Sequence, residues 1–183
     1  GTDLPADALA YALDPETFTV TSRAEHLRLD LGAVGKGYAL DRGAELLRDW
    51  GIRSACLISG GSTVLALAPA QDSRGWGVGI GEEAAYRTIA LDDNSLSGSG
   101  TAVKGRHLID PRTGQPAPRT DRTWALAASA ALSDALSTAF FVMTAEEIRA
   151  FCTQHAEVGA AWTQAGGRLE VCGALRSLYS AAQ

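Results

Sequence analysis

Three glycines within six residues, Gly32, Gly35 and Gly37, separate the run His26–Leu31 from a segment whose apolar residues recur with the period of a helix. The run alternates enough to be a strand, with Leu27, Leu29 and Leu31 on one face. The segment after the glycines predicts a helix over about 37–50, with Ala39, Leu40, Gly43, Leu46, Leu47 and Trp50 available for a core, closed by Gly51 in a left-handed cap. A strand, a glycine turn and a helix in that order require a sheet with helices packed on it. The rest of the chain extends the pattern. Residues 5–13 read as a short helix and Thr17–Thr21 as a strand. Further strands are expected at Ala55–Ser59, Thr63–Leu67, Trp76–Ile80, Arg87–Leu91, Asn94–Leu96 and Thr123–Ala128, with a tight turn at Gly60-Gly61. Residues 97–105, rich in Gly and Ser, read as a loop. Ala130–Met143 predicts a helix, and Thr144 with Glu147 three residues later forms a capping box for another. Glu157–Thr163 and Arg168–Cys172 flank Gly166-Gly167 as a terminal hairpin. Strands interleaved with two to three main helices give an α/β (α+β) domain with a mixed sheet, read as a single domain over 1–183.

Composition narrows the function. A hydrophobic share of 46%, a charged share of 20% and 6 prolines fit a globular chain rather than a disordered one. The net charge is −5 and the 16 Lys and Arg residues are scattered, which argues against nucleic acid as a partner. The three cysteines show no CxxC spacing, which argues against structural zinc; a Cys152–Cys172 bridge and buried free thiols both remain open. No apolar run approaches the length of a membrane span.

Four segments carry candidate chemistry, and each has a plain structural reading beside it. In Asp30–Tyr38, three glycines and a helix start could bring backbone N–H groups to a phosphate, although a Gly-rich βα turn alone is more often structural. It is not a Walker loop, since Asp30 and Gly37 stand where that motif needs Gly and Ser/Thr. Ser97-Gly98-Ser99-Gly100-Thr101 could cradle a phosphate or be a linker. In His107-Leu108-Ile109-Asp110-Pro111-Arg112-Thr113-Gly114, a rigid turn accounts for Asp110, Pro111 and Gly114 but not for the histidine or the arginine. A histidine there suits a general base, and an arginine suits a phosphate or carboxylate clamp. Asp134 and Thr138, spaced i, i+4, share one face of the 130–143 helix. They could serve the helix dipole, or act as two hard oxygen ligands for Mg2+.

Taken in order, these blocks resemble the ApbE family of FAD:protein FMN transferases. The matching stretches are Asp30–Asp41, Gly60-Gly61, Ser97-Gly98, His107–Pro116 and Ala130–Ala139. The resemblance implies a Mg2+-dependent transfer of FMN from FAD to a Thr or Ser hydroxyl of a partner protein, with release of AMP. FAD is then a substrate, and the acceptor a protein such as a respiratory-complex subunit. It implies metal ligation by Asp134, Thr138 and a backbone carbonyl of Gly35 or Ala33. It places Lys36, Gly37, Tyr38, Ser97, Gly98, His107, Arg112 and Thr113 about the FAD, and His107 and Asp110 in catalysis. The sequence departs from the family at Ser62, where many members have Asp after Gly-Gly, and in the shorter connection from Gly98 to His107. Family members also carry an N-terminal portion that helps to form the FAD cleft, and this chain reads as the portion after it. One alternative follows from that, a flavin- or nucleotide-binding module without transferase activity; another is an FAD pyrophosphatase, with water in place of the protein hydroxyl at the same metal, yielding FMN and AMP. Localisation is expected to be the cell envelope or periplasm of a bacterium if a leader precedes the chain, and the cytoplasm otherwise.

Overall fold

A computed structural model describes residues 10–82, 85–100, 108–117, 122–164 and 167–182. Residues 1–31 and 32–183 form two compact units.

In the first unit, β1 (Tyr11–Asp14) and β2 (Thr19–Ser22) pair antiparallel, from Tyr11 opposite Ser22 to Asp14 opposite Thr19. Asp14 builds the turn between them. Its Oδ1 accepts the N–H of Glu16 at 2.9 Å and of Thr17 at 3.2 Å, and its Oδ2 accepts the Thr17 hydroxyl at 2.7 Å. An aspartate that satisfies backbone donors two and three residues on favours a turn over a helix. The helix expected over 5–13 is therefore corrected to strand at its C-terminal end, while residues 5–9 lie outside the described residues. The strand expected over His26–Leu31 is irregular backbone, with Leu29 and Leu31 exposed. Alternation assigns faces to a strand, but it cannot supply the neighbour that accepts its hydrogen bonds.

The second unit is built on a six-stranded antiparallel sheet. Its strands, in chain order, are β3 (Cys56–Ser59), β4 (Thr63–Ala66), β7 (Asn94–Ser99), β10 (Thr123–Ala127), β11 (Gly159–Thr163) and β12 (Leu169–Gly173). The spatial order is β12-β11-β10-β7-β4-β3. Parallel pairing among the described residues is confined to a bridge between Ser54 and Ala68. The strands β5 (Trp76–Ile80) and β6 (Arg87–Leu91) form a separate hairpin, and β8 (Ile109–Asp110) and β9 (Gln115–Pro116) a minimal one. The helices are α1 (Gly35–Asp49), α2 (Ala130–Val142), α3 (Ala145–Gln154) and α4 (Leu175–Ser180).

Period-two alternation sorts the sheet residues between two cores. Ala66, Leu96, Trp124, Leu126 and Ala161 pack with Ile80, Ile89, Leu91 and Leu175 on the side of the β5–β6 hairpin and α4. Ala125, Ala160, Trp162 and Cys172 pack with Leu136, Phe140, Ile148 and Cys152 of α2 and α3 on the other. Both faces of the central strands are covered, so every residue of β10 and of β11 is buried. The helix α1 lies over β3 and β4 through Leu40 and Ala44, against Leu65, Leu67 and Ala130. Its buried residues are Gly37, Leu40 and Ala44, whereas Ala39, Leu46 and Trp50, expected in the core, are exposed. Gly51 ends it at φ +76°, as its left-handed cap requires. Cys152 and Cys172 are buried free thiols facing each other across α3 and β12; the hydrogen bond between them raises the Cys152 thiol and lowers that of Cys172.

Candidate functional site

The face that the sheet centre turns toward α2 is lined with hydroxyls. Ser95 and Ser97 each lie within hydrogen-bonding distance of the Ser133 hydroxyl, at 2.8 and 2.7 Å. Ser99 meets Ser137 at 2.8 Å and Thr138 at 3.2 Å. Thr123 donates to the carbonyl of Ser137 at 2.7 Å. Ser95, Ser97, Thr123, Ser133 and Ser137 are fully buried, and pairing each hydroxyl removes the penalty that burial would otherwise impose. Two periods built this seam. The serines at 95, 97 and 99 share one strand face, and Ser133 and Ser137 are one helical turn apart.

Within that seam Asp134 is 2% exposed. Its carboxylate accepts from Lys36 Nζ at 2.9 and 3.2 Å, from the Gly37 N–H at 3.1 Å and from the Thr63 hydroxyl at 3.3 Å. Each carboxylate oxygen thus carries two contacts, about the capacity of the group. The Lys36 ammonium also lies 3.4 Å from the carbonyl oxygen of Gly32. Thr138 follows Asp134 by one turn, its hydroxyl 3.4 Å from the Asp134 carbonyl and shared with Ser99.

Gly37 is what allows α1 to come this close. A Cβ there would stand 2.0 Å from the Ala130 carbonyl oxygen and 2.6 Å from the Ala131 nitrogen, so only glycine fits. Four residues further along α1, the Asp41 carboxylate accepts the N–H groups of Ala130 at 2.8 Å and Ala131 at 2.9 Å. It caps α2 together with Ser129, whose hydroxyl accepts from Leu132. The sequence had Asp41 inside a motif block without a role, because a cap supplied from another helix leaves no local signal.

The turn after β8 is held differently. Asp110, also buried, accepts the backbone N–H of Arg112 at 2.9 Å and its Nε at 2.9 and 3.2 Å, and its Oδ2 accepts from Nη2 at 2.9 Å. Those Arg112 hydrogen bonds hold the Asp110 carboxyl below the usual carboxylate range. The remaining Arg112 donors reach Glu147 Oε1 at 2.9 Å and the Val142 carbonyl at 3.0 Å. The guanidinium expected on phosphate therefore fastens its own turn to the junction of α2 and α3. Asp110, expected in catalysis, is paired with that arginine through both carboxylate oxygens.

Other expected residues disperse. Ser97 and Gly98 lie inside β7, bonded on both sides, where a loop was expected from residue 97; the Ser97 hydroxyl is taken by Ser133. The Thr113 hydroxyl accepts from the Gln115 N–H at 3.2 Å and is exposed. Tyr38 follows Lys36 by two helical positions, about 200° around α1, and faces away from Asp134. Its ring lies under the Arg42 guanidinium at 5.7 Å, in a groove of about 350 Å³ with Asp41, Glu45, Arg48 and Ser129. His107 lies outside the described residues. Gly35 opens α1 with Ala33 just before it, while the turn carbonyl beside the ammonium is that of Gly32.

The donor set suits a hard cation. The Asp134 carboxylate itself, the Thr63 hydroxyl bonded to it and the Thr138 hydroxyl one turn along are all oxygen donors. The Lys36 ammonium already rests on the carboxylate, with the Gly32 carbonyl beside it. Among the described residues no group of three or more His, Cys, Asp or Glu side chains gathers, so the arrangement differs from a zinc or multi-carboxylate calcium centre. Mg2+, which takes few protein ligands, fits what is there.

The same α+β arrangement occurs in solved flavin transferases. The chain superposes on the Flavin Transferase ApbE from Vibrio cholerae with a TM-score of 0.78 at 18% identity, covering 92% of this chain and 58% of that one. For the Pseudomonas stutzeri flavinyl transferase ApbE, apo form, the TM-score is 0.78 at 23% identity, with 93% and 56% covered. In sequence, the chain is 33% identical over 141 residues to the FAD:protein FMN transferase of Rhodobacter capsulatus, covering 70% of this chain and 27% of that protein. It is 32% identical over 152 residues to the enzyme of that name from Treponema pallidum, covering 70% and 41%. The ApbE family profile matches residues 5–162, and the chain belongs to the ApbE family. It spans less than half the length of these two curated relatives.

Proposed function

We propose that this chain carries the catalytic motifs of an FAD:protein FMN transferase, with Mg2+ held by Asp134 and Thr138. The observation that supports this reading is the meeting of separate motif blocks on one carboxylate. Lys36 and Gly37 come from the glycine turn, Thr63 from the strand after Gly60-Gly61, and Asp134 from α2, while Ser99 holds Thr138 beside it. In the reaction the acceptor hydroxyl oxygen attacks the phosphorus of the FMN half of FAD. The pyrophosphate P–O bond breaks, AMP leaves with that oxygen, and the hydroxyl proton passes to a base. Mg2+ at Asp134 would supply charge neutralisation at the pyrophosphate oxygens.

The chain's own residues divide the remaining work. Asp134 and Thr138 present oxygens from a helix whose rotation the serine seam fixes. Lys36 places its ammonium on the Asp134 carboxylate in the structure as it stands. His107 is assigned the proton transfer on the family resemblance; Asp110, committed to Arg112, is assigned to shaping the turn that follows it.

Incubation with FAD, Mg2+ and a threonine-bearing acceptor domain, read by intact mass and in-gel flavin fluorescence, tests the proposal. Covalent flavin on the acceptor is expected, lost in Asp134→Asn. Free FMN and AMP with an unmodified acceptor would make the chain a pyrophosphatase instead. Flavin binding without either product would leave it a binding module.

A further inference from the structure

The Asp134 carboxylate has no vacancy for a second cation. Its contacts are filled by Lys36, Gly37 and Thr63, and its side chain is 3% exposed. Gly37 and Thr63 belong to packed elements and are themselves fully or largely buried. Lys36 is the exception: its side chain is 35% exposed, and its stem passes the Gly60 turn, where a Cβ would lie 3.4 Å from Lys36 Cδ. Of the three donors, only the ammonium is carried on a flexible stem that reaches solvent.

Resting on the metal reading above, we propose that Lys36 is a displaceable counter-ion: its ammonium and a divalent cation are alternative occupants of Asp134. Two positive groups cannot both take the same carboxylate oxygens in a site this buried, because like charges repel strongly where water is excluded. A carboxylate buried with no cation would be costly, so the lysine holds the site neutral until the metal arrives. The arriving ion takes over the oxygens and the ammonium swings outward through the open side. Metal binding then places a mobile positive charge at the mouth of the site, suited to an anionic phosphate ester. Lys36 acts here as a positioning and gating residue through Asp134.

The experiment uses the whole chain with Mg2+ alone. Isothermal titration is run on wild type, Lys36→Met and Asp134→Asn, and Lys36 acylation by an N-hydroxysuccinimidyl acetate probe is followed by peptide mass spectrometry with and without Mg2+ at matched ionic strength. Displacement predicts that Lys36→Met binds Mg2+ about 10- to 100-fold more tightly, the worth of one hydrogen bond to a charged group. It also predicts that Mg2+ increases Lys36 acylation in wild type but not in Asp134→Asn. The acylation arm needs no lysine variant, so it decides the matter if Lys36→Met fails to fold. Mg2+ binding that Asp134→Asn abolishes, with unchanged or reduced Lys36 acylation, would overturn the exchange while leaving the metal site standing. Absence of Mg2+ binding in wild type and Lys36→Met alike would overturn the metal reading and the exchange with it.

Discussion

Replacing Gly37 with alanine adds one methyl group at the closest approach of α1 and α2. The new Cβ would lie 2.0 Å from the Ala130 oxygen and 2.3 Å from its carbonyl carbon. Ordinary contact is about 3.5 Å, so the helices must part by about 1.5 Å. Both colliding atoms are backbone inside a helix, and no rotamer change relieves them. Parting by that amount stretches the 3.1 Å bond from the Gly37 N–H to Asp134 beyond hydrogen-bonding range. Loss of a hydrogen bond to a charged group costs about 1.5–3 kcal/mol, and overpacking about 1–3 kcal/mol. Alanine's better helix propensity returns about 1 kcal/mol. The net loss is about 3 kcal/mol, which for a chain of this length lowers Tm by about 6–12 °C. Gly43→Ala is the control, since its Cβ would meet only the Leu57 side chain at 3.2 Å. Thermal melts followed by circular dichroism compare the two variants with wild type. A Gly37→Ala protein that melts at or above wild type, as helix propensity alone would have it, refutes the close-packing argument.

Asp41→Ala removes the carboxylate that caps α2 and is expected to cost about 1–2 kcal/mol in urea unfolding, with Asp41→Asn recovering much of it; a change below about 0.5 kcal/mol would mean that Ser129 suffices. Arg112→Gln tests the turn. The arginine holds the folded Asp110 carboxyl below its ordinary value, so its stabilisation is present above about pH 4 and fades as pH falls through the lower folded value. The variant should therefore be less stable than wild type at neutral pH and converge with it on acidification, as read by melting from pH 7 down to pH 2; a constant gap across that range would exclude the ion pair as the cause.

Local rules recovered the parts of this fold that local rules govern. The Thr144–Glu147 capping box and the Gly51 cap depend on residues a few positions apart, and both are present. The spacing of Asp134 and Thr138 put them on one helix face, and the glycines before α1 were read as a turn whose backbone could approach a ligand. The structural reading given beside the phosphate one has a concrete form here: Gly37 admits the backbone of α2, and its N–H is bonded to Asp134. The same limit explains the serines. Ser95, Ser97 and Ser99 keep a strict period of two, which marks one strand face, but the glycines among them suggested a loop. Only their long-range partners on α2 distinguish a buried seam from a flexible linker. Arg112 was legible as a residue the turn did not need, and its partners at Val142 and Glu147 could not be found without the tertiary structure. In α1 the period was right and the phase was shifted, which exposed Leu46 and Trp50.

The cap on α2 also bears on the order in which the chain folds. Asp41 and Ala130 are 89 positions apart, and closing a loop of that size costs on the order of 4 kcal/mol in chain entropy before any contact forms. Until α1 docks, the helix that carries Asp134 has one side-chain cap and two N–H groups still bonded to water. Its ends fray in that state, and the carboxylate has neither the lysine nor the glycine N–H to hold it. The one docking of α1 on α2 thus completes the cap and brings Lys36 and Gly37 to Asp134, so the stability of the helix and the assembly of the charge pair are coupled.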